Sequence, residues 1–208
     1  MSGREARFID RSMISAQRAK QIITKGSFRN RGFCLLGMVV QLLFSGPTLS
    51  HGATVSQADV KAAFLYNFAK FVAWPAEAFS SETAPIQLGV FGDEEFAAKL
   101  KSLLSDKQAH GRSFEVKTFS NPQEAKNFQM VFVAGSETKR TPQVLEAARK
   151  FPVLTIGESE QFLDAGGMIN FVVEDAQPKF EVNPESAQEV KIEISSKLLR
   201  LARKRSPK

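Results

Sequence analysis

The residues able to do chemistry in this chain are few. Its 208 residues include two histidines, His51 and His110, and a single cysteine, Cys34. A Cys-His or Ser-His-Asp arrangement in the region after residue 53 would rest on His110 alone. His110 sits in Gln108-Ala109-His110-Gly111-Arg112, which reads as a surface turn. A zinc site of His and Cys ligands lacks the ligands. Carboxylates are plentiful, but no spacing separates a catalytic pair from solvated ones. Three similar words do recur: Val90-Phe91-Gly92-Asp93-Glu94-Glu95, Val133-Ala134-Gly135-Ser136-Glu137 and Thr155-Ile156-Gly157-Glu158-Ser159-Glu160. Each follows a strand-like run, so in a parallel sheet all three turns lie along the carboxyl edge, where ligands bind. The same words also suit plain capping, with Gly relieving the turn and Asp, Ser or Glu serving the next helix. None is a G-x-G-x-x-G or a lysine-bearing phosphate loop, and acidic residues at helix starts repel phosphate. The inventory favours binding over catalysis, with no catalytic residue, metal or cofactor expected.

Two segments carry more than a core needs. The stretch Ala62-Ala63-Phe64-Leu65-Tyr66-Asn67-Phe68-Ala69-Lys70-Phe71-Val72-Ala73-Trp74-Pro75 holds the only Tyr and the only Trp of the chain. Trp and Tyr anchor interfaces well, so Tyr66, Asn67, Lys70 and Trp74 are candidates for touching a partner, and burial against a sheet is the competing account. In Asp164-Ala165-Gly166-Gly167-Met168-Ile169-Asn170-Phe171, Gly166 and Gly167 admit backbone shapes or approaches that a Cβ forbids; a tight turn into a strand explains them equally well.

The elements that must position these residues alternate. Apolar residues Val60, Phe64, Phe68, Phe71 and Val72 recur at helical steps, predicting a helix over 56–74 with Ser56 as N-cap, Asp59 in its first turn and Pro75 as its end. Strand Ile86–Phe91 follows, then a helix over 94–105 with Phe96, Leu100, Leu103 and Leu104 on one face. A strand over 114–119, a short helix opened by Asn121-Pro122, the strand Met130–Val133, a helix from Thr141-Pro142 to Lys150, a strand over 153–156 and a short helix around 159–163 continue the pattern. Strands over 168–173 and 179–182 about the turn Asp175-Ala176-Gln177-Pro178 make an antiparallel hairpin. Residues 183–194 read equally as helix or strand, and 195–203 as a terminal helix. Repeated alternation of this kind predicts an α/β domain: a mostly parallel sheet with helices on both faces, three layers in all, plus the C-terminal antiparallel hairpin.

The beginning of the chain differs from the rest. Residues 1–52 carry eight basic and two acidic residues, which accounts for the formal +6 of the whole chain; the remainder holds 20 of each sign. Nucleic acid is therefore not an expected partner, since the basic balance belongs to the leader. Arg18, Lys20, Lys25, Arg29 and Arg31 precede an apolar run from Gly32 to Phe44, within the range of an export signal and short of the ~20 residues that span a bilayer. Cleavage near Gly52 or Ala53 is expected, with translation starting at Met1 or Met13. The domain plan is thus an export signal at 1–53, one α/β domain at 54–203 and a basic tail at 204–208. That domain contains no cysteine and forms no disulfide.

The stretch Lys61-Ala62-Ala63-Phe64-Leu65-Tyr66-Asn67-Phe68-Ala69-Lys70-Phe71 with Trp74-Pro75, the strand Pro152-Val153-Leu154-Thr155 with Phe162, Gly166-Gly167-Met168-Ile169, and Ser195-Ser196-Lys197-Leu198-Leu199-Arg200-Leu201-Ala202 together resemble the YfiR/HmsC family of periplasmic proteins. The resemblance runs over residues 60–202. It implies a small α/β regulator that holds an inner-membrane diguanylate cyclase inactive by binding its periplasmic sensor region, with an outer-membrane lipoprotein relieving the inhibition. Cyclic di-GMP and biofilm formation would be the output, and the protein would not touch the nucleotide. Some members of that family carry disulfides; the mature domain here has no cysteine, which excludes a thiol switch within it. A periplasmic small-molecule binding module, built on the turns at Gly92, Gly135 and Gly157, is the alternative. Neutral charge and aromatic excess are compatible with a homodimer.

Overall fold

A computed structural model describes residues 56–174 and 177–204. The expected export signal, the hairpin residues Asp175 and Ala176, and all of the expected tail except Lys204 lie outside the described residues. In chain order the elements are helix α1 (Gln57–Phe71), strands β1 (Val72–Ala73) and β2 (Ile86–Phe91), α2 (Glu94–Leu104), β3 (Gln108–Ala109), β4 (Arg112–Phe119), β5 (Met130–Val133), α3 (Thr141–Ala148), β6 (Leu154–Gly157), β7 (Ile169–Glu174), β8 (Gln177–Val182), α4 (Pro184–Glu189), β9 (Glu193–Ile194) and α5 (Ser196–Leu201).

Seven strands form one sheet in the order β3-β4-β2-β5-β6-β7-β8, and β1 pairs separately with β9. The pairings from β4 through β2, β5 and β6 to β7 are parallel. Both margins are antiparallel, β3 on β4 and β8 on β7. The sheet is therefore mixed, not mostly parallel as the sequence suggested; the C-terminal hairpin is present as expected. The difference at the first margin is β3, which is two residues long and has no alternation to read. It is joined to β4 through His110 (φ 52°) and Gly111 (φ 75°), the double positive-φ turn that matches strand twist.

The central strands are buried on both sides, and the pleat sends alternate residues into two clusters. Leu88, Val90, Met130, Phe132, Leu154 and Ile156 join Leu65, Phe68 and Leu100 in one. Phe91, Val131 and Val133 join Phe119, Phe128, Val144, Leu145 and Phe162 in the other. Each such side chain contributes on the order of 1.5–3 kcal/mol when buried.

Other expectations shift in detail. Helix α1 stops at Phe71, before Trp74, because Val72 turns extended (ψ 135°) and pairs with Ile194 of β9. Leu103 is 41 % exposed, since Phe96, Leu100 and Leu104 already complete the i, i+4 row of α2. Residues 160–166 are successive turns, not a helix. The ambiguous stretch 183–194 holds both α4 and β9.

Candidate partner surface

Helix α1 is pinned at both ends by side chains. Ser56 and Asp59 form a capping box, with Asp59 N donating to Ser56 Oγ at 3.2 Å and Ser56 N donating to Asp59 Oδ2 at 3.0 Å. Lys99 of α2 adds a 2.7 Å ion pair to Asp59 and a 2.8 Å hydrogen bond to Ser56 Oγ. Hydrogen bonds from Lys99 and Ser56 hold the Asp59 carboxyl at about 2, well below its ordinary range. At the other end His110 Nε2 lies 3.0 Å from Ala69 O and 2.9 Å from Val72 O. Both are carbonyl acceptors, so Nε2 carries the proton and caps the C-terminal turn. His110, a surface turn in the sequence, is thus a structural brace.

The inward face of α1 buries Ala62, Leu65, Phe68 and Ala69. Phe64 and Phe68 stack at 5.9 Å and meet Phe171 and Phe180 of the hairpin at 5.0–5.8 Å between ring centroids. That cluster fixes the helix rotation, and so fixes what points outward: Ala63, Asn67 and Lys70 are exposed, with Tyr66 half-buried beside them. Tyr66 donates to Gln108 O at 3.3 Å and sets its ring edge-on to Phe114 at 6.0 Å. Lys70 Nζ stands 5.3 Å from the Tyr66 ring centroid, within cation–π range. Asn67 Nδ2 donates back to Ala63 O at 2.9 Å. Three of the four first-helix candidates therefore share one outward stripe.

Trp74 lies past the helix end, half-buried, and donates from Nε1 to Gln129 O at 3.0 Å. Gln129 was not singled out in the sequence, yet its side chain accepts from Gln87 N at 2.9 Å and donates to Ala78 O at 2.7 Å, joining the starts of β2 and β5. Its signal was one polar residue just before an apolar run, which is too common to read. Arg112 was missed likewise: it donates to Ser81 O and Ala84 O and lies 3.7 Å from the Phe79 ring centroid.

Gly166 and Gly167 stand apart from this stripe. A Cβ on Gly167 would sit 2.2 Å from the Phe162 ring and 2.7 Å from the Phe162 carbonyl; a Cβ on Gly157 would meet the same ring at 2.2 Å. Phe162, 1 % exposed, is held between the two glycines. Gly167 is buried, and Gly166 is exposed at φ 97°. Gly166 lines a cavity of about 460 Å³ together with residues of α3 and α4, among them Leu145, Glu146 and Glu189.

The carboxyl-edge turns are braced against each other. Asp93 accepts from Phe96 N at 2.8 Å and caps α2. Glu158 accepts from Gly135 N at 2.9 Å and pairs with Lys61 of α1. Gly92 takes φ 86°, with Glu137 packed where its Cβ would be. A cavity of about 350 Å³ beside Gly92 is lined by Asp93, Thr118, Glu137 and Arg140. Among the described residues, no group of three or more His, Cys, Asp or Glu could hold a metal ion, and no helix is long and apolar enough to cross a membrane.

Fold and surface together define a small mixed α/β domain presenting a polar-edged helix braced at both ends. The family model described as YfiR/HmsC-like (DUF4154) matches residues 58–203, and the chain belongs to that family. No curated protein matches its sequence. Among solved structures, a conserved domain protein from Vibrio cholerae O1 biovar eltor str. N16961 is similar at 13 % identity and a TM-score of 0.48, with 71 % of this chain and 59 % of that one covered. The chain thus spans about three-fifths of that protein's length.

Proposed function

We propose that this protein is a periplasmic regulator that restrains an inner-membrane diguanylate cyclase by binding its sensor region, lowering cyclic di-GMP and biofilm formation. Membership of the YfiR/HmsC-like family over residues 58–203 carries the reading. Its mechanism is linkage: a protein that binds the inactive sensor conformation more tightly than the active one shifts the cyclase toward inactivity by that difference in affinity. The stripe of Tyr66, Asn67 and Lys70, with Trp74 behind it, is the surface we assign to this contact. Gly166 and Gly167 enter through the shape of their loop. An outer-membrane lipoprotein that competes for the regulator would relieve the inhibition.

The test is cellular cyclic di-GMP in a strain lacking the protein, rescued either by the full chain or by a version beginning at Ala53. A rise on deletion, reversed only by the full chain, supports the reading. An unchanged level across growth conditions overturns it and leaves the small-molecule module, for which the cavity beside Gly92 is the place to look by thermal shift.

A further inference from the structure

Inside the sheet, β6 stops before its neighbour does. It pairs with β7 at Ile156 with Ile169 and Gly157 with Asn170, whereas β7 runs on to Glu174 beside β8. The direction of the main chain along that remainder follows from β8. Phe180 O accepts from Arg203 N at 2.8 Å, so Phe180 faces away from β7, and its antiparallel partner Phe171 faces away from β8. Val173, opposite Pro178, falls in the same phase, and the proline has no N–H to lose there. The parallel pair of Gly157 and Asn170 uses the N–H of Phe171. Phe171 C=O, Val173 N–H and Val173 C=O then face the ground that β6 has left, where no strand lies among the described residues.

That ground is a cavity of about 400 Å³, bounded by Glu158 and Glu160 past the end of β6, by Lys61 on the α1 side, and by Arg203. Asn170 lines it too. This residue is 3 % exposed, and its Oδ1 is the one buried side-chain polar atom among the described residues without a hydrogen-bond partner. An amide oxygen buried without a donor is a cost that a ligand's N–H would remove. The terminal torsion of Asn is soft, so the amide can turn either end to the cavity. Lys61 and Arg203 balance Glu158 and Glu160, which leaves no net charge to hold a phosphate. Lys61 is paired with Glu158, and Arg203 with Glu174 at 3.4 Å and Glu181 at 3.7 Å. Glu160 is exposed and has no cation paired to it among the described residues.

We propose that this cavity binds a short peptide with free termini, extended along β7 as a continuation of β6. A row of C=O, N–H and C=O at main-chain spacing is the complement of another main chain. One ligand residue lying opposite Val172 and running parallel to β7 donates its N–H to Phe171 O and accepts from Val173 N–H. That direction sets the amino end of the ligand at the end of β6, where its ammonium meets Asn170 Oδ1 and the free carboxylate of Glu160. The carboxylate of the ligand is carried along β7 toward Arg203, which reaches Glu174 at the far end of the strand. The space suits about two or three residues, being near the small end of ordinary ligand cavities. Recognition rests on main-chain groups and terminal charges, so peptide sequence matters little beyond size. The assignment stands on β7 and Asn170 and does not depend on a cyclase partner.

The experiment is isothermal titration calorimetry with trialanine, on protein purified from cells expressing the full chain. Saturable binding with a dissociation constant of about 1 mM or tighter is expected. Trialanine methylated on the amide nitrogen of its second residue keeps both charges and loses the N–H that meets Phe171 O. Trialanine acetylated at its amino end loses the ammonium. Each change should weaken binding by about tenfold or more. Glu160→Gln, at an exposed position, should weaken trialanine as much and leave the affinity of the acetylated peptide unchanged; far-UV circular dichroism checks that the variant is folded. Bound trialanine should also slow hydrogen exchange at the Val173 amide, read by nuclear magnetic resonance. No saturation up to about 10 mM overturns the proposal. So does binding that ignores either the methyl group or Glu160→Gln, or that leaves exchange at Val173 as it was.

Discussion

The indole nitrogen of Trp74 sits 3.0 Å from the carbonyl oxygen of Gln129, a residue whose carbonyl also accepts from Leu154 N at 2.9 Å. One oxygen thus joins the end of the first helix to the beginnings of β5 and β6. Trp74→Phe keeps most of the ring and removes the donor. We expect it to cost about 1 kcal/mol, read as a lower urea midpoint at unchanged slope. A midpoint unchanged from the parent would mean that Leu154 alone satisfies the Gln129 carbonyl.

Phe162 between two glycines gives a sharper expectation. Gly157→Ala collides with the ring alone, whereas Gly167→Ala also meets the Phe162 backbone carbonyl at 2.7 Å. A ring can tilt and a carbonyl in a turn cannot, so Gly167→Ala should be the more damaging, with losses of about 1–3 kcal/mol typical of overpacking. Adding Phe162→Leu should recover more of the Gly157→Ala loss than of the Gly167→Ala loss. Equal recovery in thermal melts would show that the carbonyl contact is immaterial.

Acid should loosen the start of α1. The Asp59 carboxyl titrates at about 2 in the folded protein against 3.8 ordinarily, through its hydrogen bonds to Lys99 and Ser56. The folded state therefore binds fewer protons than the unfolded one, and the contribution is complete above about pH 4 and lost as pH falls toward 2. Glu174, also lowered, by Lys179 first and Arg203 further, adds in the same direction. Melting temperature should fall along that limb, and Asp59→Asn should flatten the fall. A limb of unchanged steepness in the variant would remove Asp59 from the account.

Stability and regulation should separate on the outward stripe. Asn67 and Lys70 are exposed and contribute nothing to the core. Asn67→Ala should be neutral or slightly stabilising, because Ala is the better helix former. Lys70→Glu should cost only a few tenths of a kcal/mol at the helix C-terminal end. If this stripe meets the cyclase, both proteins accumulate normally and yet fail to lower cyclic di-GMP. Full repression by both variants would place the contact elsewhere.

The parts of this fold legible in the sequence are those where local pattern and tertiary packing agree. Ile86–Phe91 and Met130–Val133 have the same bounds in both because an apolar run of this length between turn signals has one solution in a buried sheet. Ser56 as a cap and the presence of a C-terminal antiparallel hairpin were equally readable, although the strands run to Glu174 and resume at Gln177 instead of flanking a turn over 175–178. β1 and β3 were not, since two residues carry no periodicity, and β9 was legible only as one of two readings of 183–194. His110 shows the same limit: its type suggested a turn, but its contact with carbonyls 38 and 41 positions earlier could not be seen without the fold. On the candidate surface, the aromatic excess was visible while the division of labour was not. Tyr66 and Trp74 both spend their polar atoms on the backbone, and Asn67 and Lys70 face outward.

The pairing of β1 with β9 has a consequence for how the protein comes into being. Val72 meets Ile194, and Ser195 N donates to Phe71 O at 2.9 Å, so the end of the first helix is latched by residues more than 120 positions later. A chain emerging from its amino end has this helix first and its latch almost last. Until the hairpin has formed, Phe64 and Phe68 lack the rings of Phe171 and Phe180 that pack on them. Such a contact is expensive in loop closure and late in folding. A chain lacking residues 193–195 would leave the end of this helix without its strand partner, so the helix end is fixed only once that distant segment has reached it.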